Sequence, residues 1–274
     1  MILSIKKLII FIICASFIYP SQLSFEDIPI QEEGRIKPLD TFAKNQLLRI
    51  YGKRSISNSK LSTTDWLFGV LTNDKEVLSI PVFNIRNPEV VDGLGLEDRD
   101  SHRYTFEEIA ISIESNLEML EKIHKKAEEE RELVENQLLE IYFNSLQFKR
   151  LQLELSCLTP LISIDESSIA DKIDVSIGDK VSFFKIARNL DKMTDLIDSI
   201  QSKDPALWNS AESSFYGILE TLKSMSTVAM QSRILKIFPP IKEHNSSNWM
   251  SPWEIVSFGK LRDSSYDNLL LSIE

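Results

Sequence analysis

The sequence predicts a mainly α fold: an irregular helical bundle with one long, coiled-coil-like helix and a minor β element. Three observations carry this. Neither glycine nor proline occurs from Leu96 to Thr159. Apolar residues recur at helical spacing on either side of that stretch. The β-rich run is confined to Val77–Ile85, where Pro81 limits any strand to an edge.

Taken in order, residues 1–24 predict a signal peptide or N-terminal anchor. Lys6 and Lys7 precede an apolar run from Leu8 to Tyr19, of signal-peptide length and short of the ~20 residues a membrane span needs. Pro20 and Ser21 follow, but Tyr19 spoils a small-x-small cleavage site, so retention as an anchor stays open. Cys14 is a poor lipoprotein site, because Phe11-Ile12-Ile13 lacks the small residues expected before it.

Residues 25–104 form the next segment. Its centre is Ile28–Gly52, IPIQEEGRIKPLDTFAKNQLLRIYG: an extended lead-in, a turn at Gly34, a basic pair in Arg35 and Lys37, then a helix. Pro38 enforces a non-helical approach, Asp40 or Thr41 is expected to cap, and Gly52 stops the helix. Phe42, Ala43, Leu47, Leu48 and Tyr51 mark its apolar face. A short helix is expected at Asp65–Leu71 with Thr63 or Thr64 as cap, and Asn87-Pro88 starts a turn or helix. Gly93-x-Gly95 lacks the strand, turn and third glycine of a dinucleotide site.

Residues 105–160 predict the long helix, from about Phe106 to Leu155, capped by Thr105 and ~75 Å long if straight. Its spine is Leu117, Leu120, Ile123, Ala127, Val134, Leu138, Ile141 and Phe148. The spine thins through the charged run KKAEEERE, where Glu118–Lys122 and Glu121–Lys125 are i,i+4 pairs. A partial helical hairpin or coiled coil follows. Residues 161–274 predict a helical segment. Ile162–Ser176 reads as a loop with one helical turn, and Phe183–Ile200 as an amphipathic helix. Asp204-Pro205 restarts the chain into a helix from Leu207 towards Met230. Ile234–Phe238 reads as extended, Pro239-Pro240 as a rigid break, and Pro252 as the start of a last short helix.

Charge excludes some functions. The 31 basic and 41 acidic residues give a net charge of -10, without the cationic stripe that nucleic-acid binding needs. Of the two cysteines, Cys14 lies in the signal, leaving Cys157 as a buried thiol between Leu155 and Leu158. Neither C-x-x-C nor C-x-x-C-H is present, so the chain is not itself a cytochrome c. No metal-ligand spacing, nucleophile elbow or phosphate loop occurs, and an enzyme is not predicted. Of the three histidines, His124 reads as solvent-facing and His102 as ordering a loop; His244, near Trp249 and Trp253, is the weak haem candidate.

The stretch GRIKPLDTFAKNQLLRIYGKRSI resembles the GR-(V/I)-KP-(L/F)-DT-(L/F)-A signature of system II cytochrome c biogenesis proteins, the CcsA-type and fused CcsBA-type proteins. The similarity extends through Thr64–Ile109 and returns at SRILKIFPPIKEHNSSNWMSPWEIV, Ser232–Val256. In that family haem is handled by a WWD segment and by histidines at membrane helices. This chain contains no WWD run, so haem ligation is not carried over.

The resemblance implies an exported scaffold in cytochrome c maturation, in the periplasm or on the periplasmic face of the inner membrane. Its partners would be membrane cytochrome c synthase subunits and apocytochrome c. It would hold no cofactor stably and meet haem only transiently, through partners. Membrane association would come through the N-terminal segment or a partner. Arg35, Lys37, Asp40, Trp249 and Trp253 are the partner-binding candidates. Arg35 has two readings: a contact to a partner or a haem propionate, or, the favoured one, a structural pair with an acid of its own core. Two other functional readings stay open: an exported coiled-coil envelope adaptor unrelated to haem, and the front piece of a longer split gene.

Overall fold

A computed structural model describes residues 24–57, 59–229, 233–240 and 248–257. The expected signal or anchor, Cys14, His244 and the C-terminal tail lie outside the described residues. Helices make up about 59% of the described residues, and the strands form only small antiparallel pairs, so the fold is mainly α.

β1 (Pro29–Glu32) and β2 (Arg35–Pro38) form a hairpin with Glu32 opposite Arg35 and Pro29 opposite Pro38. The two turn residues, Glu33 and Gly34, have φ of 51° and 75°. Positive φ at both positions is what a two-residue turn of the I′ kind requires. A Cβ on Gly34 would meet nothing within 4 Å, so backbone angle, not space, favours glycine there. α1 (Leu39–Tyr51) follows at once, and Gly52 closes it in the left-handed conformation at φ 75°.

The expected cap at Asp40 or Thr41 is corrected. Pro38 is the N-cap and no side chain caps α1. The Leu39 amide instead donates to the Ile28 carbonyl at 2.8 Å, so the hairpin supplies the acceptor. The buried face is also rotated: Ile50 and Gln46 are buried while Leu48 is 41% exposed.

α2 (Thr63–Leu71) is capped by Ser62, whose hydroxyl accepts from the Asp65 amide at 3.0 Å; Thr63 and Thr64 lie inside the helix, buried. α3 (Lys75–Leu78) takes up the start of the expected β run, because Asp74 accepts from the Glu76 and Val77 amides. The strand is therefore only β3 (Phe83–Asn84), paired with β4 (Arg103–Tyr104). Between them α4 (Pro88–Gly93) is capped by Asn87 with proline in its first turn.

The single long helix is not formed. It is divided into α5 (Phe106–Ser115), α6 (Leu117–Lys125) and α7 (Leu133–Leu153). Thr105 and Glu108 make a full capping box at the start of α5. At Asn116 (φ -116°, ψ 15°) the side-chain nitrogen donates to the Ser112 carbonyl at 2.9 Å and the Leu94 carbonyl at 3.3 Å. An asparagine that bonds the backbone in this way competes with helix continuation. The second break falls in the charged run, which presents almost no apolar surface for packing. There Glu128–Glu130 form one 3₁₀ turn, and Glu132 with Glu135 recaps α7. Neither expected i,i+4 pair forms an ion pair; Lys126 pairs with Glu135 across the break instead. α6 packs back on α7, so the expected hairpin exists, on shorter arms.

Beyond α7, β5 (Ile162–Ser163) pairs with β6 (Lys180–Val181) around α8 (Ser167–Ile173). The amphipathic run from Phe183 is also broken: α9 (Phe183–Arg188), a 3₁₀ turn at Leu190–Met193, then α10 (Thr194–Ser202). Asn189 is the break, its side chain donating to the Lys185 carbonyl at 2.8 Å. Asp204 caps the 3₁₀ turn Pro205–Leu207, ahead of α11 (Ser210–Ala229). α12 (Pro252–Ser257) is the last described helix.

The buried side chains form one hydrophobic cluster reaching from Ile30 to Val256. Phe148 of α7 lies at its middle. It stacks on Phe106 of α5 at 4.6 Å, and approaches Phe83 of β3 at 5.8 Å and Trp66 of α2 at 6.4 Å. Aromatic contacts of this kind contribute roughly 0.5–1.5 kcal/mol each beyond area burial. α7 is thereby the strut on which the N-terminal hairpin and the C-terminal segment are both hung.

Candidate functional site

The first and last described parts of the chain meet. The Gln31 amide on the outer edge of β1 donates to the Lys236 carbonyl at 3.0 Å. The Gln31 side-chain oxygen accepts from the Trp249 amide at 2.9 Å, a contact between residues 218 positions apart. In a two-residue hairpin the pair flanking the turn exchanges its hydrogen bonds, so the next pair, Gln31 and Ile36, points its amides outward. Gln31 is covered by the C-terminal segment; Ile36 has no such cover among the described residues and is 61% exposed.

Three of the predicted partner-binding residues cluster on this hairpin and the start of α1, with different roles. Lys37 is committed: its ammonium is 2.6 Å from Glu32, which also accepts from Asn45 and Gln46, each at 3.2 Å. Gln46 in turn accepts from Gln147 of α7 at 3.0 Å. Asp40 is tied to Lys44 at 2.7 Å and to the Thr64 hydroxyl at 3.5 Å.

Arg35 is exposed and has no ion pair among the described residues, which corrects the structural reading favoured from sequence. The acid opposite it is Glu32, and the diagonal Lys37 has already taken that carboxylate. Sequence alone gives no signal for this, since Glu32 and Glu33 are equal candidates until the register is known.

The two tryptophans separate. Trp249 is half-buried beside the hairpin. Trp253 is 2% exposed, meets Phe183 edge-on at 4.9 Å, and its indole nitrogen donates to the Leu153 carbonyl at 2.9 Å and the Ser156 hydroxyl at 3.2 Å. It has no open face for a partner and instead pins α12 to the end of α7. Nearby, the fully buried Glu154 accepts from the Ile234 amide at 2.6 Å. Glu154, Gln31 and Gln46 were missed in the sequence; a polar residue at a buried helical position was the only signal for Gln46.

His102 is half-buried with φ 51°, and its carbonyl accepts from the Ile85 amide at 3.0 Å, so it does order a loop. His124 is exposed, edge-on to Phe143 at 5.5 Å. Cys157 is buried. Among the described residues no group of three metal-ligating side chains occurs, and no helix is long and apolar enough to cross a membrane.

The exposed surface here is in separate pieces: Arg35 and Ile36 stand at successive positions of β2, on opposite faces of the hairpin, and Trp249 is half-buried against the β1 edge. Arg35 offers a planar cation and β2 an open strand edge, each able to contact another macromolecule. No protein-family model and no curated protein matches the chain.

Proposed function

We propose that this chain is an extracytoplasmic scaffold of a system II cytochrome c assembly machine. It docks to the membrane synthase or holds apocytochrome c near the point of haem attachment, and acts by positioning, not by turnover. The observation that carries this reading is the joint at Gln31. Gln31, on the strand that leads into the GRIKPLDTFA stretch, is hydrogen-bonded to Lys236 and Trp249 of the distant Ser232–Val256 stretch, and with Thr64–Ile109 these are the parts that resemble the family. A second support is Arg35, presented at the hairpin end without an ion-pair partner among the described residues.

Deletion of the gene followed by haem staining of c-type cytochromes tests the proposal. Loss of holocytochrome is expected, and unchanged levels reject it. Arg35→Ala separates contact from folding: the variant keeps its helical circular dichroism and melting curve but loses maturation. Recovery of envelope structural proteins without any synthase subunit in a pull-down favours the exported adaptor instead.

A further inference from the structure

A second site lies away from that surface. A cleft of about 310 Å³ opens between the C-terminal end of α1, the β3–α4 connection and the middle of α7. Arg49 and Arg86 both line it. Although the chain carries a net charge of -10, neither arginine has an ion pair among the described residues. Arg103, close enough to Arg86 to feel its charge, lies 3.7 Å from the Tyr51 ring centroid and donates to the Tyr51 carbonyl.

Arg49 is held ready. Its Nε donates at 2.7 Å to Oδ1 of Asn144, and Asn144 Nδ2 donates back to the Arg49 carbonyl at 3.4 Å. Asn144 is 3% exposed, so the α7 end of this brace is buried while Arg49 itself is exposed. It occupies Nε and leaves the two terminal nitrogens for a ligand. A guanidinium fixed in this way loses little freedom when it forks onto a carboxylate. The walls add amides: the Asn84 side chain lines the cleft, and Gln137, which accepts from Asn87 at 2.7 Å, keeps its own nitrogen free to donate. Glu140 on the rim opposes highly charged anions and so favours a single carboxylate over phosphate.

We propose that this cleft binds a monocarboxylate, with the acid on the Arg49 and Arg86 guanidiniums and a neighbouring amide group of the ligand on Asn84 and Gln137. The free acid of a small molecule and the C-terminus of a peptide share this chemistry. The inference stands apart from the scaffold reading, because it is tested on the purified chain alone.

The test is a titration of ¹⁵N-labelled protein, followed by the Nε–Hε resonance of Arg49 in the parent and, in the parent and every variant, by the side-chain amide resonances of Asn84 and Gln137 in the cleft wall. Four probes are used: acetyl-Ala-Ala-Ala with a free carboxylate, the same peptide as its C-terminal amide, acetate, and inorganic phosphate. Saturable shifts with the free-acid peptide are expected, at least tenfold weaker with the amide, and weakened at least tenfold by Arg86→Gln and by Arg49→Lys. Arg49→Lys keeps the charge, loses the fork, and is checked for an unchanged melting curve. Much weaker acetate binding supports both contacts and assigns the site to chain termini; acetate binding as tightly as the peptide supports the carboxylate on the arginines, assigns the site to free acids and overturns the amide contact with Asn84 and Gln137. Equal binding of the amide, preference for phosphate, or undiminished binding by Arg49→Lys overturns it.

Discussion

Among single residues, Glu212 carries the sharpest electrostatic commitment. Its side chain is 2% exposed in the first turn of α11. It accepts from Lys203 at 2.5 Å, from the Ser199 hydroxyl, and from the Asn209 amide at 2.8 Å. The Lys203 bond first, then Ser199 and the Asn209 amide, hold its carboxyl down from 4.5 to about 2. A depressed folded-state value means that Glu212 stabilises the fold in full above its unfolded value. That contribution is lost as pH falls from 4.5 to about 2. Glu212→Gln is therefore expected to lower the urea midpoint at pH 7 and to flatten its fall across that window. A variant whose curve runs parallel to the parent's would show that the carboxylate is not linked to folding. Glu108 follows the same sign. Burial opposes its charge, but Arg99 and the Thr105 amide and hydroxyl outweigh that and leave its carboxyl below the ordinary range.

At the scale of elements, α2 and α3 meet through one glycine. A Cβ at Gly69 would lie 2.4 Å from Val77 Cγ2 and 2.7 Å from Val77 Cβ. The second atom is the stem of a branched side chain, which cannot swing aside. Gly69→Ala gains up to about 1 kcal/mol of helix propensity but forces the two helices apart, and overpacking of this kind costs about 1–3 kcal/mol. A lower melting temperature is expected, and Gly69→Ala should cost much less in a Val77→Gly background, where the opposing Cβ is gone; a single variant more stable than the parent would show that the two helices do not approach this closely.

The same scale shows what could be read from the chain beforehand. Thr105 with Glu108, Asn87 with Pro88, Asp204 with Pro205 and the stop at Gly52 were legible, because a cap is made by neighbours in sequence. The breaks at Asn116 and within KKAEEERE were not. Asn116 bends the chain partly through the Leu94 carbonyl, an acceptor that tertiary folding supplies. The candidate residues on the first helix and hairpin were legible as types, but their pairings were not. The competition of Lys37 and Arg35 for Glu32 is decided by strand register, which no spacing rule encodes.

For the whole molecule, Trp253 is the pin that holds the last described helix to α7, and through the Phe238–Met250 bridge and Lys236 it reaches β1. Trp253→Ala is expected to cost about 3–5 kcal/mol, the usual range for emptying a buried aromatic site. Its effect should appear far away in sequence. Hydrogen exchange at the Gln31 amide should quicken well beyond that of the Phe148 cluster, because the C-terminal cover lifts before the main core opens. If Gln31 and the core exchange together, the ends are not a separable unit.

The distance of 218 positions between Gln31 and Trp249 also sets an order of events at birth. A ribosome releases the hairpin long before its cover exists. Throughout that interval the outer edge of β1 is bare and able to pair with any passing strand, including its twin on a second nascent chain. The short length of the strand and the prolines at Pro29 and Pro38 are what the hairpin has to resist that pairing while it waits. Truncated chains that stop before Lys236 should therefore clump where the finished chain does not.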